Sequence, residues 1–142
     1  MVHALREIWR VLAPGGTLID LRPLSARWPV EVVVNHQATV AGLVDDSPGA
    51  PLDTAANESL EQAAREGLFT REQESSFKYL WYWDTPDEMK AYLEENWAPD
   101  AILPDEVLAE ARRLMSKTGE GGRARIRLHM IISAWRKSNL KG

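Results

Sequence analysis

Few side chains in this sequence stand where they could do chemistry together. Asp20 and Arg22 end the apolar run Thr17-Leu18-Ile19. If that run is a strand of an open α/β sheet, both lie at its carboxyl end, where ligands of such sheets bind. There Arg22 could hold a substrate carboxylate or phosphate through a two-pronged contact; the structural alternative is a salt bridge with Asp20 or Asp45. His36 stands between two apolar runs and could act as a general base, since an imidazole titrates near neutrality, or could simply be a solvated turn residue. His129 falls inside a later apolar strand and reads as a core or interface residue. The row Arg123, Arg125, Arg127 could contact phosphate, although alternation on a strand end facing water explains it equally well. Three scattered histidines without paired carboxylates make no metal motif. With no cysteine, disulfides, thiolate zinc sites and thiol nucleophiles are excluded. No catalytic constellation emerges.

Composition sets the frame for these residues. The chain has 142 residues, 44% hydrophobic and 27% charged, as in an ordinary globular domain. Its net charge of −4 gives no general attraction to nucleic acid or an anionic membrane, so neither is expected as a partner. The charge is uneven: Arg112, Arg113, Lys117, Arg123, Arg125, Arg127, Arg136, Lys137 and Lys141 face only Glu120 in the last stretch, which reads as a solvated face. No apolar run reaches the ~20 residues that cross a bilayer, and Arg6 and Glu7 interrupt the N-terminal apolar stretch, so no signal peptide is read there. The expected setting is cytoplasmic.

The elements that must position the candidates follow from periodicity. Val2, Leu5, Ile8, Trp9 and Leu12 recur at helical spacing, and the helix must stop at Ala13-Pro14. Gly15-Gly16 then turn the chain into a buried strand from Thr17 to Leu21, ending at Arg22-Pro23. Helix, tight turn and strand read as half of a parallel βαβ unit. A hairpin is predicted from Val30 to Val34 and from Ala38 to Val44, closed by Asp45-Asp46-Ser47-Pro48-Gly49. A helix from about Asp53 to Glu66 follows, with Leu60, Ala63 and Ala64 on its apolar side. From Arg71 to Trp83 the period becomes two, with Phe77, Tyr79, Trp81 and Trp83 on one face. Thr85-Pro86-Asp87-Glu88 supplies a capping box for a helix that carries Met89, Tyr92, Leu93 and Trp97 inward. A further helix near Pro104 buries Val107, Leu108, Ala111, Leu114 and Met115. Trp9, Trp81, Trp83 and Trp97 all fall on these apolar faces, so core packing is preferred to stacking of bases or sugars. The last strand, Arg123 to Trp135, becomes apolar on both faces through Met130-Ile131-Ile132, as an interior strand does.

The segment Ala4-Leu5-Arg6-Glu7-Ile8-Trp9-Arg10-Val11-Leu12-Ala13-Pro14-Gly15-Gly16-Thr17-Leu18-Ile19-Asp20 resembles a recurrent stretch of class I S-adenosylmethionine-dependent methyltransferases. There a Glu-x-x-Arg-Val-Leu helix runs through a basic-Pro-Gly-Gly turn into the fifth strand; here Ala13 replaces the basic residue. The rest of the order is similar to that family's C-terminal half, with a final antiparallel strand between the fifth and sixth. The fold so implied is α/β, a partial Rossmann-like sheet of strands 5, 7 and 6 with flanking helices, in a single domain spanning 1–142. The hairpin of about 30–44 is then an insertion near the substrate, which makes Asp20, Arg22 and His36 candidate substrate-lining residues.

The family holds its cofactor mainly on a first strand, a glycine loop and an acidic residue after the second strand. The only Gly-x-Gly here, Gly119-Glu120-Gly121, follows a helix and precedes a strand, the reverse of a cofactor loop, and reads as a helix cap. With no segment upstream of Met1 to supply the rest, S-adenosylmethionine is expected to bind only if a partner completes the site, and no catalytic or metal-binding residue is assigned. The resemblance implies a truncated, noncatalytic module that forms homo-oligomers or binds a small ligand. Its alternative is the C-terminal half of an active small-molecule methyltransferase, completed by a separate N-terminal half-domain or by sequence upstream of Met1. In each case the strand near Ile19 is expected to have an open edge that something covers.

Overall fold

In the computed structural model residues 2–139 are described; Met1, the side chain of Val2, and Lys141 of the basic tail lie outside what is described. The element order is α1 (Val2–Val11), β1 (Thr17–Pro23), β2 (Pro29–Val34), β3 (Gln37–Leu43), α2 (Ala50–Arg65), β4 (Phe69–Trp83), α3 (Pro86–Tyr92), α4 (Asp105–Ser116) and β5 (Arg123–Lys137). The class is α/β, and the strands form a five-stranded antiparallel sheet. No helix among the described residues is long and apolar enough to cross a membrane. The chain divides into two compact units, Met1–Pro23 with Pro51–Phe77 and Met130–Gly142, and Leu24–Ala50 with Lys78–His129.

In the first unit the apolar stripe of α1 does what its spacing predicts. Leu5 is buried with Leu60, Ala63, Leu68, Phe69 and Trp135, and Ile8, Trp9, Leu12 and Leu18 pack against that cluster. The helix ends before the Pro-Gly-Gly turn, and Lys137 caps it. Its Nζ donates to the Leu12 carbonyl at 2.7 Å and lies 4.4 Å from the Trp9 ring centre, so a cation meets the carbonyl end of the helix.

β1 is antiparallel to β5, with Leu18 opposite Trp135, Asp20 opposite Ser133, Ile19 opposite Ala134 and Leu21 opposite Ile132. Ser138 N–H donates to the Leu68 carbonyl, and Arg136 pairs with Glu72 at 2.7 Å, which sets β4 on the other side of β5, also antiparallel. The last strand therefore lies between β1 and β4, and those two run parallel without touching. The βαβ reading expected a parallel neighbour for β1. The ladder that β1 makes is with β5, the position expected of the final antiparallel strand, and among the described residues no strand pairs its far edge, so that parallel neighbour is not present.

The two faces of this sheet differ. Opposed residues of an antiparallel pair share a face, so Leu18, Asp20, Ser133 and Trp135 look towards the helices. Ile19 and Leu21 look the other way and are 53% and 54% exposed. In this unit β5 buries the face that carries Ser133 and Trp135, while Ile132 and Ala134 on its other face are only half-buried.

In the second unit β2 pairs with β3 as a two-residue hairpin and also with β5, Glu31 falling opposite Arg125. Asn35 and His36 both have positive φ, the requirement of a type I′ turn. The hairpin is thus part of the sheet rather than an appendage. A bulge between Val30 and Glu31 shifts the register at Gly42, whose φ is +156° and where a Cβ would stand 2.6 Å from the Cγ2 of Val107 on α4. Gly42→Ala is therefore expected to destabilise the protein by about 1–3 kcal/mol through overpacking. A urea denaturation midpoint equal to that of the wild type would refute this.

Buried Asp46 holds the bend before β2, its Oδ2 accepting from the backbone N–H of Ala26 at 2.7 Å and of Arg27 at 2.8 Å. Thr85 caps α3 as predicted, its hydroxyl accepting from Glu88 N–H at 3.1 Å. α3 continues into one wider turn, Leu93–Trp97, and buries Met89 and Leu93. Trp28 and Trp83 are buried, and with Trp81, Tyr92 and Trp97 they form an aromatic cluster with centroids 5.4–6.3 Å apart, in which Trp97 meets its neighbours edge-on and Trp81 stacks on Trp83. Phe77 and Tyr79, expected on the same buried face, are 41% and 49% exposed, and Leu114 and Met115 of α4 are only half-buried.

Candidate functional site

Alternate residues of a strand point to the same face, and this brings Asp20 and Arg22 of β1 together. Arg22 Nε donates to Asp20 Oδ2 at 3.0 Å, its Nη2 donates to the Asn57 side chain on α2, and Nη1 stands 3.9 Å from Asp53. The side chains of Arg22 and Asp20 are only 15% and 19% exposed. One guanidinium is thus set between two carboxylates. It is a tie between β1 and α2, and the salt bridge offered as the structural alternative is the one formed, with Asp20. Asp45, the other suggested partner, belongs to the second unit, where hydrogen bonds from the Ser47 hydroxyl and N–H hold its carboxyl below the usual range.

His36 is also in the second unit, exposed at the hairpin turn, and among the described residues no side chain orients it as a base. His129 is half-buried on β5, with its Nδ1 2.7 Å from Lys78 Nζ. A lysine ammonium can only donate, so Nδ1 accepts and the ring proton sits on Nε2. Among the described residues no group of three or more metal-ligating side chains comes together. Gly119 and Gly121, with φ of +66° and +92°, form the loop from α4 to β5, as their order in the sequence implies. A hollow beside Leu93, Ala101 and Leu103 has a volume of about 60 Å³, far below the roughly 300–1,000 Å³ of small-molecule sites.

The charged constellation that stands out lies elsewhere in the second unit. Ala124, Ile126 and Leu128 of β5 are buried, so Arg123, Arg125, Arg127 and His129 share the opposite face. Glu31 of β2, its side chain 3% exposed, receives both neighbouring arginines: Arg125 Nε donates to its Oε1 at 3.0 Å and Arg127 Nη2 to its Oε2 at 3.1 Å. Arg125 Nη1 also reaches the Tyr82 hydroxyl at 3.2 Å, and the Arg123 guanidinium lies 4.7 Å from the Tyr82 ring centre. Burial works to lower the pKa of Arg125, but the hydrogen bonds to Tyr82 and Glu31 and the charge of Glu31 outweigh it and raise the pKa above its usual value.

The arginine row is therefore not simply a solvated strand end. Arg125 and Arg127, with side-chain exposures of 14% and 38%, are gathered by a carboxylate that sequence reasoning passed over. The one available signal was a lone acidic residue inside Pro29-Val30-Glu31-Val32-Val33-Val34, facing arginines at alternate positions about ninety residues later. No family model, no curated protein and no solved structure matches the chain.

Proposed function

We propose that the chain is a class I methyltransferase-like module, carrying the fifth, seventh and sixth strand positions of that sheet in β1, β5 and β4, and that it works by association along the far edge of β1. The observation that carries this reading is the arrangement of β1. It follows α1 and a Pro-Gly-Gly turn, pairs among the described residues on one side only, with the final antiparallel strand, and carries Ile19 and Leu21 exposed on its outer face. An apolar strand with a free row of N–H and C=O groups favours pairing with another chain. A second copy is the simplest occupant, because two-fold association uses the same patch on both subunits. In this form the module is noncatalytic or binds a small ligand, and it does not hold S-adenosylmethionine by itself, since its only Gly-x-Gly lies in a helix-to-strand loop.

A second reading is favoured by the bare face beside that edge. Ile19 and Leu21, with Ala134 and Ile132 opposite them, need a layer over them as well as a strand beside them. A complementary half-domain with the glycine loop would supply both and complete a small-molecule methyltransferase. On that reading methyl transfer proceeds by proximity and alignment, and the cofactor arrives with the partner.

Light scattering on the full chain, beside a calorimetric titration with S-adenosylmethionine, tests both. The expected result is a mass of at least twice 16.0 kDa, reduced by Leu21→Lys, with no heat of cofactor binding. A monomer at micromolar concentration removes the homo-oligomer and leaves the complementary half-domain. Binding of S-adenosylmethionine to the chain unaided overturns both.

A further inference from the structure

The basic face of the second unit is used by neither of these readings, and its charges do not balance. Arg123, Arg125 and Arg127 project from one side of β5, and Lys78 of β4 joins them through His129. Against these four cations stand two carboxylates, Glu31 and Asp84, the latter 82% exposed and 3.6 Å from Arg123. Glu31 is consumed by Arg125 and Arg127 together. Arg127 makes one hydrogen bond, through Nη2, while its Nε is buried without a partner. Arg123 is 51% exposed and rests on the Tyr82 ring. Two guanidiniums are thus held in place, one by a carboxylate and one by an aromatic face, with donors left over. Arginine forks of this kind match the paired oxygens of carboxylate and phosphate.

We propose that Arg123 and Arg127, backed by Arg125 and Lys78, bind the oxyanion group of a small molecule. Glu31 serves as the buried counter-charge that fixes Arg125 and Arg127 on the sheet, leaving an excess of positive charge for the ligand. A polyanion fits less well. The patch is four side chains on two strands, and the rest of the chain brings the net charge to −4, whereas nucleic-acid binding gains most from long basic tracks. The inference does not depend on the methyl-transfer reading.

The test uses the full chain, with inorganic phosphate and acetate as probes and sodium chloride at equal ionic strength as the reference. Thermal unfolding and the ³¹P line width of phosphate are both followed. Phosphate is expected to raise the melting temperature in a saturable way and to broaden its own resonance, with acetate acting in the same direction but more weakly if the natural group is a phosphate. Arg123→Gln and Lys78→Gln, at exposed positions that leave Glu31 paired, should keep the fold. Loss of a charge-assisted hydrogen bond should make Arg123→Gln bind phosphate about tenfold more weakly. Arg123→Gln combined with Arg127→Gln should abolish the response, with circular dichroism checking that the variant is folded. An equal effect of chloride, or an undiminished response in Arg123→Gln, overturns the proposal. Binding of a short oligonucleotide far more tightly than phosphate, with a steep salt dependence, overturns it as well.

Discussion

Glu31→Ala is expected to lower the free energy of unfolding by about 3–5 kcal/mol, because it strands two guanidiniums around a site from which water is largely excluded. The loss should fall nearer the lower figure. Arg127 is more than a third exposed and can turn to water, whereas Arg125 is covered and keeps only the Tyr82 hydroxyl. For a domain with a total stability of roughly 5–15 kcal/mol, such a change approaches unfolding at ambient temperature. Glu31→Gln retains an acceptor for one arginine and should cost less. Replacing Glu31, Arg125 and Arg127 together by apolar residues of similar volume should cost less still, since removing the whole set leaves no charge unpaired. Urea denaturation of the three variants gives the comparison. A single Glu31→Ala variant within 1 kcal/mol of the wild type would mean that the carboxylate is not the keystone its burial suggests.

Phe69→Ala is expected to cost about 3–5 kcal/mol for a different reason. Its ring is 1% exposed at the start of β4, among Leu5, Leu60, Ala63, Leu68 and Trp135. Truncation removes its transfer free energy and leaves a void lined by residues from α1, α2 and β5, which are fixed by their own backbone bonds and cannot close over it. The urea midpoint should fall with little change in slope. Amide exchange in α1 and α2 should quicken by more than that in α4, which packs in the other unit. Equal acceleration throughout would show that this cluster does not act as a local core.

What was legible in the sequence was whatever local spacing controls. The stripe of α1, the stop at Pro14, the hairpin and the Thr85 cap each depend on a few neighbouring residues, and each is present in the structure. Asp20 and Arg22 also read correctly as a pair, because two positions along a strand are neighbours in space. Register between distant strands was not legible. Nothing within Arg123–Arg127 reveals that β2 lies alongside with Glu31 opposite Arg125, so the arginines read as solvated. Alternation likewise placed Phe77 and Tyr79 with Trp81 and Trp83, but this 15-residue strand is buried only at its two ends, at Phe69 and Trp83, and its middle is exposed. Apolarity on both faces of β5 marked an interior strand, which it is by pairing. That pattern could not say whether both faces are covered, because cover comes from other elements.

The first unit is assembled from segments that lie far apart along the chain, and this governs when it can form. Thr17 meets Arg136, and Leu5 meets Trp135. During synthesis at about 5–20 residues per second, α1 and β1 wait on the order of ten seconds for the strand that completes them. Through that interval the Leu5 and Ile19 surfaces stand open together, while the β2–β3 hairpin can already close on itself. A nascent chain of this kind is a natural client for holding chaperones, and its yield should depend on elongation speed more than on the strength of the finished core.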